Sequence, residues 1–266
     1  MSLKMVEIQE AVCIGCGKCA DDCVANNILI EAGKAHIQKI CFCCGHCVAI
    51  CPTAAVSIPS YDMDDVEDIT PETSHLDAQT LMRAIKARRS IRDYKPALVE
   101  SDKINAICEA GRYTATAKNT QGCRFIVVQH DLDDLKQHVW TGISDLLALP
   151  LDEKPRWVKL YKMFWKSWQA GGEDFLFRNA PAVVFIAADE AVDAGLAAQN
   201  MELMAASLGL GVLYNGYLCR AADELPAVKA WLGAGDKALQ ICMLLGYPAT
   251  TYQRTAPRRA GDFVVK

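Results

Sequence analysis

Apolar positions along this chain follow two periods, and the places where the period changes mark out its elements. Residues 76–89 set Leu81, Ala84 and Ile85 on one face at helical spacing. Residues 101–113 do the same with Ile104, Ile107 and Cys108, with Ser101 placed as an N-cap. Further helices are predicted over 131–149 and 191–208. Residues 125–129, 182–188 and 239–245 are apolar runs of strand length, bounded by turn residues or by the helices. Strands interleaved with long helices predict a layered α/β or α+β domain over 76–266. The segment 154–177 carries Trp157, Tyr161, Trp165 and Trp168 at helical intervals, with Lys159, Lys162 and Lys166 among them. It reads either as an amphipathic core helix or as a lid over a binding site.

Residues 1–59 are patterned differently. The short apolar segments Ile28-Leu29-Ile30 and Ala35-His36-Ile37 suit small strands, and a core this small needs staples. Cysteines supply them: Cys13, Cys16, Cys19 and Cys23 have the spacing of Cys41, Cys44, Cys47 and Cys51. A four-iron cluster needs thiolates converging from several directions; a Cys-x2-Cys-x2-Cys turn offers three, and a more distant cysteine closes the site. Structural zinc favours Cys-x2-Cys pairs, for which a third cysteine is redundant. Disulfides suit small secreted domains, but no charged region followed by an apolar stretch opens this chain. Cys43 is surplus to the repeat and is expected to pack. From residue 60 to 79, Asp62, Asp64, Asp65, Glu67, Asp68, Glu72 and Asp77 occur without Lys or Arg, which predicts an acidic linker over 60–75.

The duplicated motif resembles the bacterial two-cluster ferredoxin, in which each fourth cysteine serves the other cluster. That resemblance implies two [4Fe–4S] clusters in a small ferredoxin-like domain. Cys51 would complete the site of Cys13, Cys16 and Cys19, and Cys23 that of Cys41, Cys44 and Cys47. Pro52 follows Cys51, whereas Val24 follows Cys23, a departure that removes no ligand.

Composition narrows the class. With 266 residues, 52% hydrophobic and 23% charged, the chain has room for a cluster domain and one ordinary globular domain. A net charge of −4 and a pI near 5.8 argue against a nucleic-acid partner. The longest apolar stretch, 180–188, is too short to cross a bilayer. A cytoplasmic protein is expected, in which Cys43, Cys108, Cys123, Cys219 and Cys242 stay reduced.

A second chemical signal is Arg88-Arg89-Ser90-Ile91-Arg92-Asp93-Tyr94. Guanidinium forks and a serine hydroxyl suit a phosphate, and basic residues also suit a helix C-terminus. Three more stretches follow it: TATAKNTQGCRFIVV over 114–128, AAQNMELMAASLGLGVLYNGYL over 197–218 and LLGYPATTYQRTAPRR over 244–259. Together they resemble, in order and spacing, the nitroreductase-like flavoprotein family, from residue 76 to the C-terminus. The resemblance implies an α+β sandwich, a homodimer joined through its helices, and one FMN in each of two interface pockets. It places Arg88, Arg89, Ser90 and Arg92 at the flavin phosphate, ribityl chain or pyrimidine edge. Thr116, Ala117, Asn119 and Gln121 would approach from the partner chain. Tyr214, Asn215 and Gly216 would lie beside the isoalloxazine and offer a backbone N–H to its N5, while Arg258 or Arg259 would close on the phosphate. Gly122-Cys123 stands where the family often has Pro-Trp. No G-x-G-x-x-G follows a strand, so no Rossmann site is predicted, although the family can take hydride from NAD(P)H stacked on the flavin.

The combined reading is an FMN-dependent oxidoreductase whose two clusters relay electrons to FMN, which reduces a nitroaromatic, quinone or activated alkene. Its partners would be a small-molecule acceptor and a redox-protein donor, with no nucleic acid or membrane. The competing readings are an electron-transfer flavoprotein serving a protein partner and an iron–sulfur redox sensor. A substrate-sized cavity over the flavin favours the enzyme. No catalytic proton donor is identified, since His36, His46, His75, His130 and His138 lie outside the flavin motifs.

Overall fold

The computed structural model describes residues 6–266; residues 1–5 of the predicted 1–59 domain lie outside them. The chain divides into two compact units, Met1–His75 with Thr116–Thr120, and Leu76–Ala115 with Gln121–Lys266.

In the first unit β1 (Glu7–Ile8) pairs antiparallel with β4 (Val56–Ser57), and β2 (Ile28–Glu31) with β3 (Lys34–Ile37). Two one-turn helices, α1 (Lys18–Asp21) and α2 (His46–Ala49), start from Gly17 and Gly45. These glycines take the same left-handed conformation, φ 80° and 79°, which costs a residue without a Cβ little. The sequence repeat is thus a backbone repeat. The cysteines follow it too: Cys16 and Cys44 are exposed, while Cys19 and Cys47 are buried in a core built with Val6, Ile28, Ala35 and Val56. Cys43 is buried in the same core, as its place outside the repeat predicts.

The acidic stretch differs from a featureless linker. It contains α3 (Pro71–Ser74), whose N-cap Thr70 exchanges hydrogen bonds with Thr73, and Pro71 starts the helix where a missing N–H costs nothing.

The second unit is three-layered. After α4 (Ala78–Ala87) and α5 (Ser101–Arg112) come β5 (Arg124–Val128), α6 (Leu132–Ala148), α7 (Val158–Gln169), β6 (Ala182–Ala188), α8 (Ala191–Ser207), β7 (Gly211–Tyr214), α9 (Gly216–Glu224), α10 (Pro226–Trp231) and β8 (Ala238–Gly246). The four strands form an antiparallel sheet in the order β5-β6-β8-β7. Every residue of β6 is buried, and its alternating side chains explain why. Val183, Phe185 and Ala187 face a core filled by α6, α7 and α9; Ala182, Val184, Ile186 and Ala188 face one filled by α5 and α8. Helices on both sheet faces make the domain α+β, as expected.

Two local readings are corrected. Ser101 is the first helical residue rather than the N-cap; Glu100 precedes it, and its carboxylate accepts from Tyr247 Oη and pairs with Lys103. Over 154–177 only Val158–Gln169 is α-helical, because Gly171 and Gly172 end the periodic stretch.

Candidate functional site

The arginine motif leaves α4 at Arg88 and runs beside β7. Ile91 N–H donates to Val212 O at 3.0 Å, and Ser90 forms a parallel bridge with Val212. Tyr94 is buried and its hydroxyl donates to Ile91 O and Leu244 O, so the motif is tied to β8 as well. Gly211 permits this closeness: a Cβ there would collide with Ile91 and lie 3.0 Å from Pro248. Two motifs that are more than a hundred residues apart in sequence therefore meet through β7.

At the end of β7, Asn215 is buried and caps α9. Its Oδ1 accepts from Leu218 N–H at 2.9 Å, its Nδ2 donates to Leu176 O, and its own N–H donates to Cys242 O. Gly216 and Tyr217 are the first two helical residues, so their N–H groups have no intrahelical acceptor. A Cβ on Gly216 would meet nothing within 4 Å, which leaves the backbone open to a planar group.

Arg92 and the Tyr214-Asn215-Gly216 strip share a cavity of about 550 Å³, walled by Trp157, Leu160 and Tyr161 of the α7 region and by Phe175. The α7 helix packs into the core as expected, and its region also lines this cavity. Val158, Tyr161 and Phe164 pack into the core, while Trp157, Leu160 and Tyr161 face the cavity. Phe164 stacks on Phe175 at 4.0 Å, and Tyr217 meets Phe175 edge-on at 5.7 Å, which fixes the aromatic wall.

Arg88 and Arg89 line a second cavity, of about 530 Å³, with Glu202, Gly211 and Tyr252. Arg88 Nη1 donates to Glu202 Oε1 at 3.0 Å, and Glu202 is almost wholly buried on α8. Arg89 Nη2 donates to Lys86 O at 2.7 Å, while its buried Nε has no partner among the described residues. Gln199 Nε2 also donates to Glu202 Oε2 at 3.5 Å, and the Tyr214 phenol is driven well above its ordinary range by burial first and by the Glu202 carboxylate second. Sequence reasoning missed Glu202; its signal was a lone acid within the small and apolar run of 197–206.

Thr116, Ala117 and Asn119 belong to a segment that groups with the first unit, and not with the 76–266 domain in which they were expected. There Asn119 Nδ2 donates to Cys43 O at 2.8 Å. Gln121 follows at positive φ. Arg258 and Arg259 are exposed beyond the last strand, with no ion pair among the described residues.

In the first unit, Cys13, Cys16, Cys19 and Cys51 line one small enclosed space together with Pro52. Burial raises the Cys19 thiol above its ordinary value, and Cys16 and Cys51 are close enough to raise it further. Burial drives Cys47 up to about 11, with Cys41 and Cys44 adding to the effect. The fourth thiols match as well: Asn27 N–H donates to Cys23 Sγ and Ala55 N–H to Cys51 Sγ, each at 3.3 Å. No group of three or more His, Cys, Asp or Glu side chains among the described residues is gathered around a single ion position. Thiolates that clasp the corners of a cage are spread more widely than ligands of one ion, and the donor set is all sulfur, which fits iron–sulfur ligation.

The "Nitroreductase family" profile matches residues 85–247, more than half of the chain. The chain belongs to the nitroreductase family. It is an oxidoreductase of that family. A putative NADH dehydrogenase/NAD(P)H nitroreductase of Methanothermobacter thermautotrophicus is 25% identical over 191 residues, covering 66% of this chain and 84% of that protein. A nitroreductase with bound FMN from Desulfitobacterium hafniense aligns with TM-score 0.53 and 26% identity over 70% of this chain and 97% of that one. A nitroreductase with bound FMN from Bacteroides fragilis shares the fold, with TM-score 0.57 and 23% identity over 70% of this chain and 98% of that one. The cysteine-rich end is similar to a component of an ion-translocating oxidoreductase complex from Methanosarcina acetivorans, 46% identical over 50 residues, or 18% of this chain. The chain spans about a fifth of that relative's length, 19%. Among the described residues no helix is long and apolar enough to cross a membrane.

Proposed function

We propose that this protein is an FMN-dependent oxidoreductase in which two [4Fe–4S] clusters relay electrons to FMN for reduction of a small electron-poor acceptor. The observation that carries the reading is the open cavity bounded by Arg92, the Tyr214-Asn215-Gly216 strip and the aromatic wall. Its volume of about 550 Å³ is that of a small-molecule site. FMN bound there would accept electrons singly and return them in pairs, and the clusters would supply them one at a time.

The chain's residues have separable tasks. Arg92 would hold negative charge at the pyrimidine edge, favouring the reduced form. The Gly216 N–H, lacking an intrahelical acceptor, would donate to a ring nitrogen. Arg88, oriented by Glu202, would reach the phosphate with its remaining N–H groups. Trp157, Phe175 and Tyr217 would exclude water from one wall. Cys16 and Cys44 are exposed, so the clusters they hold would face a redox-protein donor. A homodimer completes the reading: α4 has no buried residue and exposes Leu81, Met82 and Ile85, an apolar face that a second copy would cover.

The test is anaerobic flavin reduction by reduced ferredoxin in the wild type and in the Cys16→Ser/Cys44→Ser variant. The variant should keep its FMN and lose reduction by ferredoxin. Unchanged reduction would make the clusters structural or sensory and end the relay.

A further inference from the structure

We infer that the cavity selects acceptors that carry their own negative charge, namely planar aromatic compounds with a carboxylate. This inference rests on the oxidoreductase reading above and names its substrate class. Besides Arg92, three guanidinium groups line the cavity, Arg156, Arg178 and Arg220, and among the described residues no Asp or Glu lines it. Arg178 is already committed: its Nη1 pairs with Glu173 at 2.9 Å and its Cζ lies 4.5 Å from the Phe175 ring centroid. Arg156 and Arg220 are exposed and have no carboxylate within ion-pair distance among the described residues. Glu224 acts on Tyr161 from α9, but it does not line the cavity.

The other polar groups of the wall are largely spent. Asn215 uses both ends of its amide, and Tyr161 Oη donates to Tyr217 O at 2.8 Å. Burial keeps the Tyr161 phenol well above its ordinary range, and so neutral. The polar functions left for a ligand are thus mainly cationic, set around an aromatic slot. Guanidinium forks match a carboxylate bidentately, and the fixed rings match a flat body. The flavin phosphate does not require these arginines, because Arg88 and Arg89 line a different cavity.

The experiment compares binding of 4-nitrobenzoate and nitrobenzene to the purified holoprotein by calorimetry, with turnover measured alongside. The wild type should bind the carboxylate at least about tenfold more tightly, a difference of about 1.4 kcal/mol. Arg156→Ala/Arg220→Ala should abolish that preference, leave nitrobenzene affinity unchanged and keep full flavin content. Arg156→Lys/Arg220→Lys should restore part of it. Equal binding of the two compounds by the wild type would overturn the inference, and so would loss of flavin in the alanine variant, which would assign these arginines to the cofactor. A fall in NADPH affinity with nitrobenzoate binding unchanged would assign them to the donor and overturn it as well. Arginine-dependent binding of nitrobenzoate without its reduction would support the anion site while sinking the acceptor-reduction reading. Reduction of both compounds with no arginine dependence would do the reverse.

Discussion

Arg88 Nη1 lies 3.0 Å from Glu202 Oε1, joining the start of the arginine motif to a helix 114 residues further along the chain. The carboxylate is buried, and its charge is offset by this cation, by Gln199 Nε2 at 3.5 Å from Oε2 and by the nearby Tyr214 phenol. Arg88→Ala would strand that charge and should cost about 3 kcal/mol, the lower end for a broken buried pair, because Arg88 itself keeps some access to water. Glu202→Gln, which keeps an acceptor, should cost about 1–2 kcal/mol. Urea unfolding midpoints check both. An Arg88→Ala protein as stable as the wild type would show that the pair contributes nothing.

Crossed cluster ligation makes a prediction about pairs of substitutions. Cys51→Ser should lower iron by about half, from about eight atoms per chain. Adding Cys13→Ser should cost little more, since both residues would serve one cluster. Adding Cys41→Ser instead should remove nearly all the iron. Uncrossed ligation gives the opposite order, so iron and sulfide analysis of the two double variants decides between them.

Gly211 holds the arginine motif against β7, and a methyl group there has no room beside Ile91 and Pro248. Gly211→Ala should destabilise the protein by about 1–3 kcal/mol. It should also loosen flavin, because the displaced segment carries Ser90 and Arg92, two of the proposed flavin contacts. A thermal melt together with the absorbance of retained flavin tests the two effects, and a variant with unchanged melting would contradict the packing argument.

Asp174 offers a pH test. Burial holds its carboxyl above the usual carboxylate range, against the opposing effects of the Phe177 N–H and Lys136. The folded protein therefore binds this proton more tightly than the unfolded chain does. The stability this group contributes is full below the unfolded value of about 3.9 and is lost as pH rises through the folded value. Asp174→Asn keeps an acceptor for Phe177 N–H, 3.1 Å from Oδ1, without the charge. It should melt above the wild type at pH 7, with the gap narrowing as the pH is lowered toward 4. A wild type more stable than the variant at pH 7 would refute this.

Much of the molecule was legible from residue patterns, and for a physical reason. Periodicity reports which faces are buried, so β6 was read at its full extent, and α8 and α6 to within a residue or two, because they sit at the centre of two cores. The cysteine repeat was legible because it is a local spacing pattern, and the matching conformations of Gly17 and Gly45 are its backbone counterpart. Short elements escaped: β7 and α9 are defined by their neighbours, since β7 pairs with β8 and carries the arginine motif on its other side.

Tertiary structure alone decided the partnerships. The sequence by itself supplied the arginines and the Tyr-Asn-Gly strip that the resemblance assigns to a flavin, but their meeting depends on the hydrogen bond from Ile91 N–H to Val212 O of β7. It marked 154–177 as amphipathic, but whether that helix packs or lines a cavity is set by what lies across from each face, and α7 does both. It contained Glu202, Arg156 and Arg220 without ranking them. A charge acquires meaning from its surroundings: the buried acid has a cation beside it, the two exposed arginines have no such acid among the described residues, and only the folded chain places either in its setting.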